Sequence, residues 1–184
     1  MNILDNYIEG VKTSYINLNR REDWDKFVEN RNKISNENIE ELENRNVPKT
    51  LIELLKYTDG TDMEEIIFLG SDIDELGYFL ESSNELLSPN RFSNEFFINM
   101  HRNNPDSIDN KLIPLEANEK WLHFANSYDN GRTSELYIDL NPSRFGTFGQ
   151  IIRYRSEPSE FKVIASSFDK YLEILKEKNY NYIK

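Results

Sequence analysis

The sequence predicts an α+β fold, with helices in the N-terminal part and at the C-terminus and a largely antiparallel sheet in the C-terminal half. Three observations predict it. Apolar residues ahead of Asp59-Gly60 recur at helical spacing. From about residue 112 onward they fall into short alternating runs separated by turn residues, and a helical stripe returns after Ser167. The 184 residues suit one domain over 1–184, with residues 1–20 as a helical addition.

In order, Ile3, Tyr7, Val11 and Tyr15 lie four residues apart, as on one face of a helix. Trp24, Phe27 and Val28 form a second short apolar face. Ser35 or Asn36 is placed to cap a helix carrying Ile39 and Leu42. Pro48 suits the first turn of the next helix, which carries Leu51, Leu54 and Leu55 and stops at Asp59-Gly60. Ile66 to Leu69 reads as a buried strand. Residues 72–87 read as a short helix around Ile73, Leu76, Phe79 and Leu80, weakened by Gly77, and Ser93 is placed to cap a helix through Phe96, Phe97 and Met100.

Leu112, Ile113 and Leu115 around Pro114 predict an edge strand or strand start. Trp121 to Tyr128 and Glu135 to Leu140 read as paired strands joined at Asp129-Asn130-Gly131, because Asn-Gly tolerates the positive φ of tight hairpins. Gln150 to Arg155 and Lys162 to Ala165 read as further strands. Ser166 or Ser167 then caps a helix whose Phe168, Tyr171, Leu172 and Leu175 follow the i, i+3, i+4, i+7 stripe.

Composition narrows the function classes. With 11 Phe, 10 Tyr and 2 Trp the chain is rich in core-forming aromatics. It has no cysteine, which excludes disulfides, thiolate metal sites and a cysteine nucleophile. No signal-peptide pattern opens it and no apolar run approaches the ~20 residues of a membrane span, so a cytoplasmic location is expected, with no membrane partner. The formal charge of −11, from 33 acidic and 22 basic residues, disfavours direct nucleic-acid binding and favours basic partners. Acidity of this size also serves plain solubility.

Signals for catalysis are weak. His101 and His123 stand in no metal-binding array, no G-x-S-x-G elbow occurs, and Gly146-Thr147-Phe148-Gly149 leads into a strand-like run rather than a helix. No catalytic residue, metal or cofactor is therefore assigned. Asp139 stands out as an acid in an apolar strand. It reads either as a ligand or acid/base group or, preferably, as an outward strand residue or a carboxylate accepting N–H groups of the following loop. Arg153-Tyr154-Arg155 is the best basic-aromatic run, and a solvated sheet face is its expected role. Denser are the acids Asp59, Asp62, Glu64, Glu65, Asp72, Asp74 and Glu75, which are expected either to steer a basic protein partner or to be solvated surface.

A family resemblance emerges along the chain. Trp121, Asp139-Leu140-Asn141-Pro142, Gly146, Gly149-Gln150-Ile151-Ile152 and Ala165-Ser166-Ser167-Phe168 follow one another as in the SUKH superfamily, named after the Smi/Knr regulators of cell-wall assembly. Ile39 to Glu43, Val47-Pro48 and Leu54 to Gly60 are similar to that family's capped helix, Leu-Pro step and Asn/Asp-Gly stop, with Val47 where Leu is usual. The resemblance covers about 24–176, with nothing placed between about 70 and 110.

The resemblance implies a non-catalytic binding fold. Bacterial members are inferred to be immunity proteins that neutralise polymorphic toxins, often nucleases, and fungal members act as scaffolds. The length and acidity of this chain favour the immunity type. The motif residues Trp121, Asp139, Pro142, Gly146, Gly149 and Gln150 are then structural or binding positions. Two alternatives are an intracellular scaffold for endogenous proteins and a small ligand-binding protein or enzyme using the sheet face, with Asp139, Gln150 or Trp121 in a pocket.

Overall fold

The computed structural model describes residues 2–61, 66–73, 76–89, 91–129 and 132–184. Helix α1 (Ile3–Asn17) opens with a capping box, in which the Asn2 side chain accepts from Asp5 N at 2.8 Å and the Asp5 carboxylate accepts from Asn2 N at 3.4 Å. Its buried row is Leu4, Tyr7, Val11 and Tyr15, so Leu4 rather than Ile3 completes the expected stripe. α2 (Arg21–Asn30) buries Trp24 and Phe27. α3 (Asn36–Asn44) is capped by Ser35 and buries Leu42. α4 (Lys49–Tyr57) follows directly on Pro48 and buries Leu51, Ile52, Leu54 and Leu55. Just beyond its end, Gly60 takes the positive φ (+89°) expected of the stop.

Six strands among the described residues form one antiparallel meander in sequence order: β1 (Leu69–Gly70), β2 (Gly77–Leu80), β3 (Trp121–Asp129), β4 (Arg132–Asp139), β5 (Gln150–Ser156) and β6 (Ser159–Ala165). β3 and β4 pair up to Asp129 and Arg132, and the expected Asn130-Gly131 turn between them lies outside the described residues. A register shift at His123/Ala125 sends both Phe124 and Ala125 into the same core.

Alternation along the strands splits the core in two. One face contributes Leu122, Phe124, Leu136, Ile138 and Ile151 to a core closed by α1, α4 and α8 (Phe168–Glu177), the last capped by Ser167. The other contributes Trp121, Tyr137, Ile152, Tyr154 and Phe161, covered by Phe92 and by Phe97 and Met100 of α6 (Asn94–Asn103). There Phe97 meets Trp121 edge-on at 5.5 Å and Tyr154 stacks on Phe161 at 4.7 Å. Each buried ring contributes on the order of 2–3 kcal/mol, which fixes the sheet from both sides.

Three segments depart from the sequence expectation. The 72–87 helix is instead strand β2 followed by α5 (Ser83–Leu87), which Ser82 caps. Tyr78 and Leu80 are buried while Gly77 and Phe79 are half-buried, a two-residue period that sheet pairing with Ala125 and Asn126 stabilises over a helix interrupted by glycine. Ile66, Phe68 and Leu69 are buried as expected, yet regular pairing is confined to Leu69 and Gly70. The expected strand at Pro114 is a 3-10 turn, Pro114–Glu116, leading into α7 (Ala117–Lys120). Proline suits that first helical position, having no N–H to leave unpaired.

Candidate partner-binding surface

The family-type residues converge on the loop between β4 and β5. Asp139 and Gln150 are opposed across these strands and almost wholly buried, at 0% and 1% exposure. Gln150 Nε2 donates to Asp139 Oδ2 at 2.8 Å and to Lys111 O at 3.1 Å, and Gln150 Oε1 accepts from Thr147 N at 3.1 Å. Asp139 Oδ1 accepts from Asn141 N at 3.0 Å, which gives this carboxylate the loop-bracing role preferred from sequence.

Gly149 has φ +76° and sits against the Pro48 ring, so the loop is tied to the start of α4. At Gly146 an added Cβ would come within 2.7 Å of Lys111 O and of Pro142 Cβ. Trp121 pairs with Asp139 in register, while its ring lies in the second core. Thus Asp139 and Gln150 turn inward at the two ends of the loop, while Phe145 and Phe148 stand in solvent, 57% and 50% exposed.

Phe148 lines a cleft of about 630 Å³ shared with Asn44 to Asn46 at and after the end of α3, the Leu87 to Pro89 end of α5, and Leu140. Asn44 ends α3, which exposes Glu37, Glu40 and Glu43; α2, which does not line this cleft, exposes Glu22, Asp25 and Glu29. Sequence reasoning passed over these acids. The i, i+3, i+6 spacing of Glu37, Glu40 and Glu43 opposite buried Leu42 was the signal that places them on one solvent face.

The acids singled out from sequence are placed differently. Asp59 is turned inward onto α5, accepting from Ser83 N at 2.6 Å and Ser83 Oγ at 2.9 Å. Asp72 pairs with Arg153 at 2.5 Å, and Arg153 also reaches Glu160 at 2.8 Å. Arg153 is 2% exposed, so the expected solvated role is corrected: its guanidinium is buried, and the carboxylates on both sides make that burial tolerable. Asp62, Glu64, Glu65, Asp74 and Glu75 lie outside the described residues.

Comparison with protein families finds that the SMI1 / KNR4 family (SUKH-1) model matches residues 33–174. The chain belongs to the SMI1 / KNR4 family. The SUKH-1 match runs from just ahead of α3 into α8, so α1 and α2 precede it. No curated protein sequence matches the chain.

In this SUKH-1 domain Glu81, His123, Glu135 and Tyr137 come together around β3 and β4. Glu135 is buried between Arg91 and the Tyr137 hydroxyl. Burial, with the Glu135 charge beside it, pushes the Tyr137 hydroxyl far above its ordinary range, so it keeps its proton. The His123 ring lies 5.1 Å from Tyr137, with Nε2 facing Ala125 O at 3.0 Å. Burial raises the Glu81 carboxyl, opposed by His123 and reinforced by Glu85 and Glu135. Asp139, Gln150 and Trp121, the pocket residues of the ligand-binding alternative, are engaged in the loop lock and the second core. Among the described residues no group of three or more His, Cys, Asp or Glu is placed to hold a metal ion. No helix among them is long and apolar enough to cross a membrane.

Proposed function

We propose that the chain is a non-catalytic, cytoplasmic protein-binding domain of the immunity type, which neutralises a cognate toxin domain with a basic surface by covering its substrate groove. One observation carries the proposal: the β4–β5 loop is braced by Asp139, which accepts from Asn141 N, and by Gln150, which accepts from Thr147 N, and it presents Phe145 and Phe148 to solvent. Exposed aromatics on a rigid loop are what a docking anchor requires, because little side-chain freedom is lost on binding. The exposed acids of α3, the helix whose end lines the Phe148 cleft, add negative charge suited to steering a partner whose groove is positive.

Membership of the SMI1 / KNR4 family supports this reading. The test is co-expression with the product of the neighbouring gene. Rescue from growth arrest together with a stable complex supports it. Failure to rescue, with recovery of endogenous cell-wall or housekeeping proteins instead, replaces it with the scaffold reading.

A further inference from the structure

A second cleft, of about 640 Å³, lies between α6 and the 105–115 segment. We propose that it binds a small amphipathic carboxylate, with the apolar body against the cleft walls and the carboxylate at His101 and Arg102. The cleft shares no lining residue with the one at Phe148.

The cleft follows from the two faces of α6. Phe97 and Met100 point into the second core, while Ile98, His101 and Arg102 are exposed. The facing wall brings Ile108, Leu112, Pro114 and Leu115. Nearly buried Phe97 and Leu112 line the cleft along with Ile98 and Leu115, which are 51% and 59% exposed. The wall is preformed, since Ile108 bridges to Phe161 at the β6 edge and Asp109 N donates to Phe161 O at 3.0 Å. A volume of this size falls within the roughly 300–1,000 Å³ typical of small-ligand sites, and its concave shape receives an apolar group, unlike the projecting Phe145 and Phe148.

Charge sets the chemistry of the ligand. The acid lining the cleft, Asp109, has its carboxylate occupied by Lys111 N at 3.0 Å and Val163 N at 3.3 Å. His101 and Arg102 also line it, and among the described residues neither takes part in an ion pair. In a chain of net charge −11, an apolar cleft edged by Arg102, a cation without an ion pair among the described residues, and by the His101 ring, whose N–H can donate a hydrogen bond, favours an anionic head group. Arg102, in the last turn of α6, also complements the helix C-terminal dipole, so its effect on binding must be read apart from its effect on stability.

The test is a titration of the full chain with decanoate below its micelle concentration, following the methyl resonances of Ile98, Leu112 and Leu115. Saturable shifts at these methyls are expected, with decyltrimethylammonium binding at least about threefold more weakly and Arg102→Gln costing decanoate a similar factor. Ile98→Asp, at an exposed position, should abolish the shifts at Leu112 and Leu115 while the rest of the spectrum is retained. Absence of saturation, equal affinity for the two head groups, or indifference to Arg102→Gln overturns the proposal.

Discussion

The Asp139 carboxylate meets the Gln150 carboxamide at 2.8 Å across β4 and β5, and each also holds a backbone N–H of the loop between them. This pair converts a ten-residue connection, 140–149, into a fixed surface. Replacing Gln150 with Leu should remove one hydrogen bond from the fully buried Asp139 carboxylate and one from Thr147 N. A loss of about 1–3 kcal/mol is expected, read as a lower urea midpoint with an unchanged m-value.

A buried cation is the second fixed point. Arg153→Met leaves Asp72 and Glu160 facing each other without their shared guanidinium, and should cost about 2–4 kcal/mol by thermal unfolding. Burial alone would raise the Glu160 carboxyl, but bonds and charges from Lys162 and Arg153 outweigh it and hold it below its usual 4.5. A depressed carboxyl contributes stability above its unfolded value, and this is lost as pH falls through the folded one. The gap between wild type and Arg153→Met should therefore narrow below about pH 4. Asp72→Lys should lower stability as well, so a binding defect in that variant would not by itself place Asp72 at an interface.

Glu81 has the opposite sign. Its raised carboxyl favours the protonated folded form, so its contribution is fully present below the unfolded value near 4.5 and is lost as pH rises through the folded one. Glu81→Gln should thus be more stable than wild type at pH 7–8 and match it near pH 4, compared by melting temperature across that range. A wild-type advantage at neutral pH would contradict the assignment.

The acids of α3 are expected to act on association rate. Changing Glu37, Glu40 and Glu43 together to Gln should slow association with a basic partner by up to about tenfold and flatten its salt dependence. The dissociation rate should hardly move, which stopped-flow or surface-based kinetics would resolve.

Much of this architecture is legible in the sequence because the deciding interactions are local. Ser35, Ser93 and Ser167 cap helices within three residues, and Phe168, Tyr171, Leu172 and Leu175 declare a helical face without help from the rest of the chain. The segment around Gly77 is ambiguous because Leu76, Phe79 and Leu80 satisfy helical spacing while Tyr78 and Leu80 satisfy strand spacing. Pairing with β3, more than forty residues away, decides it. Likewise Arg153 looks like a surface residue until Asp72, 81 positions earlier, is folded against it. In the motif loop, Asp139 and Gln150 were recognisable as special, but that they bind each other and leave Phe145 and Phe148 to face solvent depends on strand register.

The central claim is that the braced loop is a docking anchor. Its most direct test is the affinity of the double variant Phe145→Ser, Phe148→Ser for the co-purifying toxin domain, measured by calorimetry beside wild type. A loss of about 30-fold or more with an unchanged melting temperature is the expected result. Wild-type affinity in a folded double variant would contradict it.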